Sequence, residues 1–289
     1  MNNKKYLIIY NPQSGNKGLR SLNKLTDRLV TKNISYDIYQ TEIELAVTEK
    51  NISEKLNDYS DIISVGGDGT LNMLSNVLAF KKIPLGIIPC GTGNDFSRHI
   101  YKKSDDIFET VTNSKTIEAD LGWCNDRYFI NVLGIGYDAM IAEKTKDDNK
   151  IVFRSFFYLW NALKYLPFYK EKKLDVQSNN FNKNEATFMA AFGNGTFFGS
   201  GMNITPEADI ADGLLDCCWV GKLNFVKKCH CLIKLFFGSH LSENNIEYVQ
   251  AKQFEVLSEG YPIEADGEFV GYTPASIRIK EKALLLKVP

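Results

Sequence analysis

Residues 62–78 read IISVGGDGTLNMLSNVL: an apolar run, then Gly66, Gly67, Asp68, Gly69 and Thr70, then a helical pattern. A strand, a glycine turn and a helix N-terminus together offer an anion backbone N–H groups and the positive end of a helix dipole. An aspartate inside that turn would repel a bare phosphate. It becomes useful for a ligand that arrives with Mg2+, whose charge is shared among carboxylate, water and phosphate oxygens. A tight turn in which Asp68 caps the following helix explains the same residues without any ligand. Two glycine motifs fail here. No lysine follows as in G-x-x-x-x-G-K-[ST], and Leu71-Asn72 stand where G-x-G-x-x-G needs its last glycine.

The same device recurs on either side. GIIPCGTGNDFSR (86–98) is a buried strand running into Gly91, Thr92, Gly93, Asn94 and Asp95, which open another short helix. IIYNPQSGNKG (8–18) supplies a third polar turn with Asn11, Ser14 and Gly15. Further strand and helix patterns fill the gaps: helices over 17–32, 43–57 and 70–80, and strands at KKYLIIYNP, ISYDIYQT and IPLGIIP. Val- and Ile-rich strands alternating with helices predict a parallel sheet covered on both faces. Parallel neighbours bring their turns to one carboxyl edge, where open α/β folds bind ligands. Three such turns on one edge favour a nucleotide cleft over three unrelated loops.

After Asp120 the pattern changes. RYFINVLGIGYDA, EATFMAAFGNG, GLLDCCWVGK, KQFEVLSEG, YPIEADGEFVG and ASIRIKEKALLLKVP are strand-like segments divided by Gly, Asp, Asn and Pro. They predict an antiparallel sandwich or barrel, interrupted by helices over 151–167 and 222–237. The expected organisation is an α/β domain over 1–119 and a β-sandwich domain over 120–277, with 278–289 returning to the first.

Composition sets the bounds. The chain has 289 residues, of which 44% are hydrophobic and 24% charged, enough for ample cores. A formal net charge of −1 gives no global attraction to nucleic acid. The opening MNNKKYLIIYNP is too short for a signal peptide, and no run reaches the length of a spanning helix. Six cysteines in a chain this long form no disulfide framework, and Cys229-His230-Cys231 is too tight for zinc. They read as reduced thiols of a cytoplasmic protein. The three histidines show no arrangement with a nucleophile.

GGDGTLN followed by GIIPCGTGNDFSR resembles the diacylglycerol kinase catalytic family, which includes bacterial lipid kinases, sphingosine kinases and ceramide kinases. YNPQSG (10–15) resembles that family's first turn, FGNGTFFGSGMNITPEADIADGLLD (192–216) its middle motif, and EADGE (264–268) its late one. The likeness runs nearly end to end, although GGDG also occurs in NAD kinases and phosphofructokinases. It implies a Rossmann-like α/β domain followed by a β-sandwich domain, as in NAD kinase and diacylglycerol kinase, with the active cleft between them. It implies that ATP is held by Asn11, Pro12, Gln13, Ser14, Gly15 and Thr41, by Gly66, Gly67, Asp68, Gly69, Thr70, Leu71 and Asn72, and by Thr92, with Asn94 and Asp95 in the same turn. It implies Mg2+ at Asp209, Asp212 and Leu214, the first and last through carbonyls, and Glu268 as proton acceptor with Asp266 and Asp68 as catalytic partners. Thr196, Phe197 and Gly93 depart from or vary within the family's pattern, which bears on substrate preference.

Each resemblance has an ordinary counterpart. Asp-Gly at 266–267 suits a plain hairpin with Glu268 solvated, and ADIADGLLD suits a solvated acidic turn. The carboxylates and carbonyls of that loop equally suit Mg2+. FRSFFYLWNALKYLPFYKEKK sets Phe153, Phe156, Phe157, Trp160, Leu163 and Leu166 at helical spacing before a run of lysines, and FVKKCHCLIKLFFGSH is similar. Such stripes are usually core. They also suit transient docking on the inner face of an anionic membrane, where a lipid substrate resides. An exposed strand edge would let two copies pair as a homodimer. The reading is thus an ATP- and Mg2+-dependent kinase of a lipid hydroxyl, diacylglycerol first. An NAD kinase and a catalytically silent lipid- or nucleotide-binding regulator are the alternatives.

Overall fold

The computed structural model describes residues 4–113, 115–145 and 154–289. They divide into two compact units: Met1–Ala119 with Lys282–Pro289, and Asp120–Glu281.

Unit 1 runs β1 (Lys5–Tyr10), α1 (Gly15–Thr31), β2 (Ser35–Gln40), α2 (Leu45–Ser53), β3 (Asp61–Gly66), α3 (Asp68–Leu78), β4 (Leu85–Pro89), α4 (Asp95–Ile100), α5 (Ile107–Thr112) and the start of β5 (Thr116–Cys124). The strands pair in parallel in the order β4-β3-β1-β2. All six residues of β3 are buried, so a continuous apolar run is what its two covered faces require. On α1 the buried residues are Gly18, Leu22, Leu25 and Leu29, spaced three and four apart along one face. Leu25 and Leu29 are fully buried, each contributing roughly 2 kcal/mol of apolar transfer.

Unit 2 continues with β6 (Arg127–Phe129), β7 (Val132–Gly136), α6 (Tyr137–Thr145), α7 (Arg154–Tyr165), β8 (Lys172–Gln177), β9 (Asn182–Gly193), β10 (Phe197–Phe198) and β11 (Met202–Asn203). β12 (Leu215–Gly221), α8 (Phe225–Leu235), β13 (Ile246–Ala251), β14 (Gln253–Val256), β15 (Pro262–Ala265), β16 (Glu268–Tyr272) and β17 (Ala275–Lys287) follow. Its ladders are antiparallel, with β9 paired to β7, β8 and β12. Along β12 the side chains alternate between two cores. Leu215, Cys217 and Trp219 join one, and Cys218 and Val220 the other. The adjacent cysteines therefore point to opposite faces. All six cysteines are free, and burial pushes the Cys217 thiol well up and that of Cys124 up to about 12.

The structure departs from the expected elements in several places. GIGYDA does not continue as a strand: Gly136, at φ +119, ends β7, and α6 begins at the next residue. The helix expected over 43–57 shortens to Leu45–Ser53, followed by one 3-10 turn. β8 and β13 are additional strands.

β17 extends into unit 1, where Leu286 pairs with Leu85 of β4. Lys287 is fully buried there, its Nζ 2.6 Å from Asp61 and donating to the carbonyl of Asn113 at 2.8 Å.

Candidate active site

In unit 1 the turns after β1, β2, β3 and β4 share one edge because the strands are parallel. They are knotted together. The amide of Asn11 donates to Val65 O at 3.0 Å and its Nδ2 to Thr70 Oγ1 at 3.0 Å, while Thr41 N donates to Tyr10 O at 2.9 Å. Cys90 N donates to Gly66 O at 2.7 Å. The turns after β3 and β4 meet backbone to backbone: a Cβ on Gly91 would lie 2.6 Å from the Cα of Gly67. Only glycine permits that approach.

Asp68 is the first residue of α3, with Gly67 at the cap position, so it does not serve as an N-cap. Its Oδ2 accepts the backbone N–H of Asn94 at 2.7 Å. Asn94, held at φ +53, closes its own turn by accepting from Gly91 N and donating to Gly91 O. The negative charge in the glycine turn thus locks two turns together beside the first turn of α3, whose N–H groups lack intrahelical acceptors. Gly66 and Thr70 are buried, as are Leu71, Asn72 and Asp95; Gly67, Asp68, Gly69 and Asn94 are half-buried; Thr92 is exposed. Pro12, Gln13 and Gly15 are exposed, and Asn11, Ser14 and Thr41 half-buried.

In unit 2, Glu268 follows a two-residue hairpin turn. Asp266 (φ +51) and Gly267 (φ +84) both occupy the left-handed region, as a type I′ turn requires. The Asp266 carboxylate accepts three backbone N–H groups, from Ile130 and Asn131 at 2.9 Å and from Val132 at 3.2 Å. A carboxylate committed to three donors fixes the turn, and Glu268 is presented by it. The Glu268 side chain is 30% exposed and pairs with Arg127 at 2.8 Å.

Sequence reading missed Arg127, although a signal existed. CNDR (124–127) parallels ADGE (265–268), and Asn125 and Asp126 also adopt positive φ. Two similar hairpin turns thus each deliver one charged residue, and the two meet.

The acidic loop is anchored to the same framework. Gly213 N donates to Asp120 Oδ2 at 2.8 Å, Asp120 N donates to Ile210 O at 2.6 Å, and Asn194 Nδ2 donates to the carbonyls of Asp120 and Ile130. Asp120 thus clamps the loop from both its carboxylate and its backbone N–H. Asp209 and Asp212 are exposed and Leu214 half-buried, each aspartate accepting an N–H two residues on. Among the described residues no group of three His, Cys, Asp or Glu side chains gathers to hold a metal. The loop offers two carboxylates and backbone carbonyls. This all-oxygen donor set fits Mg2+, which commonly keeps several waters and few protein ligands. Nearby, burial pushes Asp216 up to about 6, even as its Oδ1 accepts from Tyr248 and Gln250.

Taken separately, an α/β unit with linked glycine turns and a sandwich with a clamped acidic hairpin define the fold shared by diacylglycerol kinases and NAD kinases. A diacylglycerol kinase catalytic domain matches residues 5–124, and a YegS C-terminal NAD kinase beta sandwich-like domain matches residues 131–288. The chain belongs to the diacylglycerol kinase family and is a phosphotransferase with an alcohol acceptor. It is 30% identical to a diacylglycerol kinase of Staphylococcus haemolyticus over 93% of this chain and 83% of that protein. It is 26% identical to one from Bacillus subtilis over 94% and 92%. A crystal structure of a diacylglycerol kinase from Bacillus anthracis superposes with a TM-score of 0.73 at 21% identity, covering 99% of this chain and 97% of that one. Yeast NADH kinase shares the fold at a TM-score of 0.53 and 11% identity, covering 100% and 84%.

Proposed function

We propose that this chain transfers the γ-phosphate of ATP to a lipid hydroxyl, converting diacylglycerol to phosphatidic acid, with Mg2+ required. The observation that carries the reading is Glu268, a partly exposed carboxylate fixed by a hairpin clamped through Asp266. Phosphoryl transfer asks a protein chiefly for positioning and charge neutralisation. The linked turns 11–15, 66–72 and 91–95, with Thr41, provide N–H donors and a helix terminus for the phosphates. Glu268 takes the proton of the lipid hydroxyl as its oxygen bonds to the γ-phosphorus and the bond to the β-phosphate oxygen breaks. Asp266 acts by holding the turn. Asp209, Asp212 and the Leu214 carbonyl would hold Mg2+, which when bound offsets phosphate charge.

Lipid access is supported by an apolar surface on unit 2. Phe225, Val226, Ile233 and Phe237 are exposed on and just after α8, and Phe168, 78% exposed, precedes β8. Lys170, Lys222 and Lys227 are exposed nearby in sequence. Aromatic residues flanked by lysines suit an anionic bilayer, at about 1 kcal/mol per lysine. Trp160 and Leu163 of the other stripe are also exposed; Phe153 and the side chains of Phe156 and Phe157 lie outside the described residues. Among the described residues no helix is long and apolar enough to cross a membrane.

Labelled ATP incubated with a total lipid extract tests the reading. Phosphatidic acid should gain the label in a Mg2+-dependent manner. Phosphorylation of NAD but of no lipid would overturn it.

A further inference from the structure

The hairpin that presents Glu268 rests on a second buried carboxyl group that the chemistry above does not use. Glu264, on β15, is 3% exposed, and its Oε2 accepts the backbone N–H of Gly267 at 2.8 Å. Its other oxygen lies beside Gly134 of β7. A Cβ placed on Gly134 would lie 1.7 Å from Asp138 Oδ2 and 3.1 Å from Glu264 Oε1, so both carboxyls crowd the same point. Gly134 pairs with Glu264 across the β7–β15 ladder, and only a glycine leaves room for them. Asp138 is itself 3% exposed. Two ionised carboxylates at such a place would repel strongly; one proton between them turns repulsion into a hydrogen bond.

We propose that Asp138 and Glu264 share a proton, and that this carboxyl pair is a positioning device for Glu268. Asp138 donates to Glu264, whose second oxygen holds Gly267 N–H and with it the turn. The turn is then gripped from both sides, by Asp266 on the backbone of 130–132 and by Glu264 from beneath. Burial pushes Asp138 up to about 7, in keeping with a retained proton. Tyr169, after α7, is raised by burial and by the Asp138 charge, Tyr272 of β16 donates to Glu143, and Lys144 lies over the Tyr165 ring.

The kinetic arm of the test rests on the kinase reading; a spectroscopic arm does not. Asp138→Asn keeps a permanent donor toward Glu264, whereas Asp138→Ala removes it. With labelled ATP and the lipid acceptor, Asp138→Ala should lower kcat at least tenfold with KM for ATP unchanged. Wild-type kcat should fall between pH 6.5 and 8, and Asp138→Asn should restore kcat to within about threefold and remove that fall. Glu264→Ala should match Asp138→Ala. Infrared spectra at neutral pH should show a protonated buried carboxyl band that Asp138→Asn abolishes, whether or not any lipid is phosphorylated. Absence of that band in wild type, an unchanged kcat in folded Asp138→Ala, or equal losses in the Asn and Ala variants would overturn the proposal. So would a change confined to KM for the lipid, which would assign Asp138 to substrate.

Discussion

The two units build their turns from opposite chemistry. In unit 1 glycines let backbones meet, at Gly67 and Gly91, and leave the first turn of α3 as a surface of N–H donors. In unit 2 carboxylates consume the backbone donors: Asp266 takes three, Asp120 takes Gly213, and Glu264 takes Gly267. One unit is thereby organised to receive anionic oxygens. The other presents a carboxylate and an oxygen-rich loop, suited to a proton and a cation. Under the proposed function, unit 1 would hold the phosphates and unit 2 would accept the hydroxyl proton, the two requirements of phosphoryl transfer.

Removing the carboxylate that unit 2 presents should produce the largest effect. Glu268→Gln is expected to cut turnover by about 10²–10⁴-fold, the usual weight of a positioned general base, in a labelled-phosphate assay. Arg127→Ala should fall in the same direction but by less, since it touches Glu268 without accepting the proton.

Unit 1 is vulnerable at its buried ion pair. Lys287→Met leaves Asp61 buried without its cation and should lower stability by about 3–5 kcal/mol, measured by urea denaturation. A shift below about 1 kcal/mol would remove Lys287 from the account of how β17 is held in unit 1.

The glycine approach is next. Gly91→Ala places a methyl against the Gly67 backbone and should cost about 1–3 kcal/mol, with weakened ATP binding by calorimetry. Unaltered binding would mean the two turns can part without consequence.

The pH dependence of stability is smaller and separates the units. Asp138 has a folded value raised to about 7 from 3.8, so the stability it lends is complete below about pH 4 and is lost as pH rises through 7. The thermal midpoint should fall from pH 5 to 8 in wild type, and this dependence should flatten in Asp138→Asn. Smallest of all, Phe225→Ser with Phe237→Ser should leave stability nearly unchanged while reducing sedimentation with anionic vesicles.

Unit 1 was largely legible in the sequence because doubly buried parallel strands make continuous apolar runs, and because its glycine turns follow those strands directly. β8 and β13 escaped notice because KKLDVQ and IEYVQA mix charged with apolar residues. α6 escaped because it begins directly after β7 with no polar cap to mark it. The site residues followed the same rule. Asp68 and Glu268 sit in local patterns, whereas Arg127 meets Glu268 across 141 residues, and the Glu264 and Asp138 carboxyls crowd the same point only because β15 pairs with β7 at Gly134. Spacing along a chain does not name such partners, even where two turns look alike, as CNDR (124–127) and ADGE (265–268) do.

The most direct measurement compares nucleotide binding with turnover in Glu268→Gln. ATP affinity should stay within about twofold of wild type while phosphate transfer to lipid is lost. Turnover at the wild-type rate in that variant would contradict the role given to the unit 2 carboxylate.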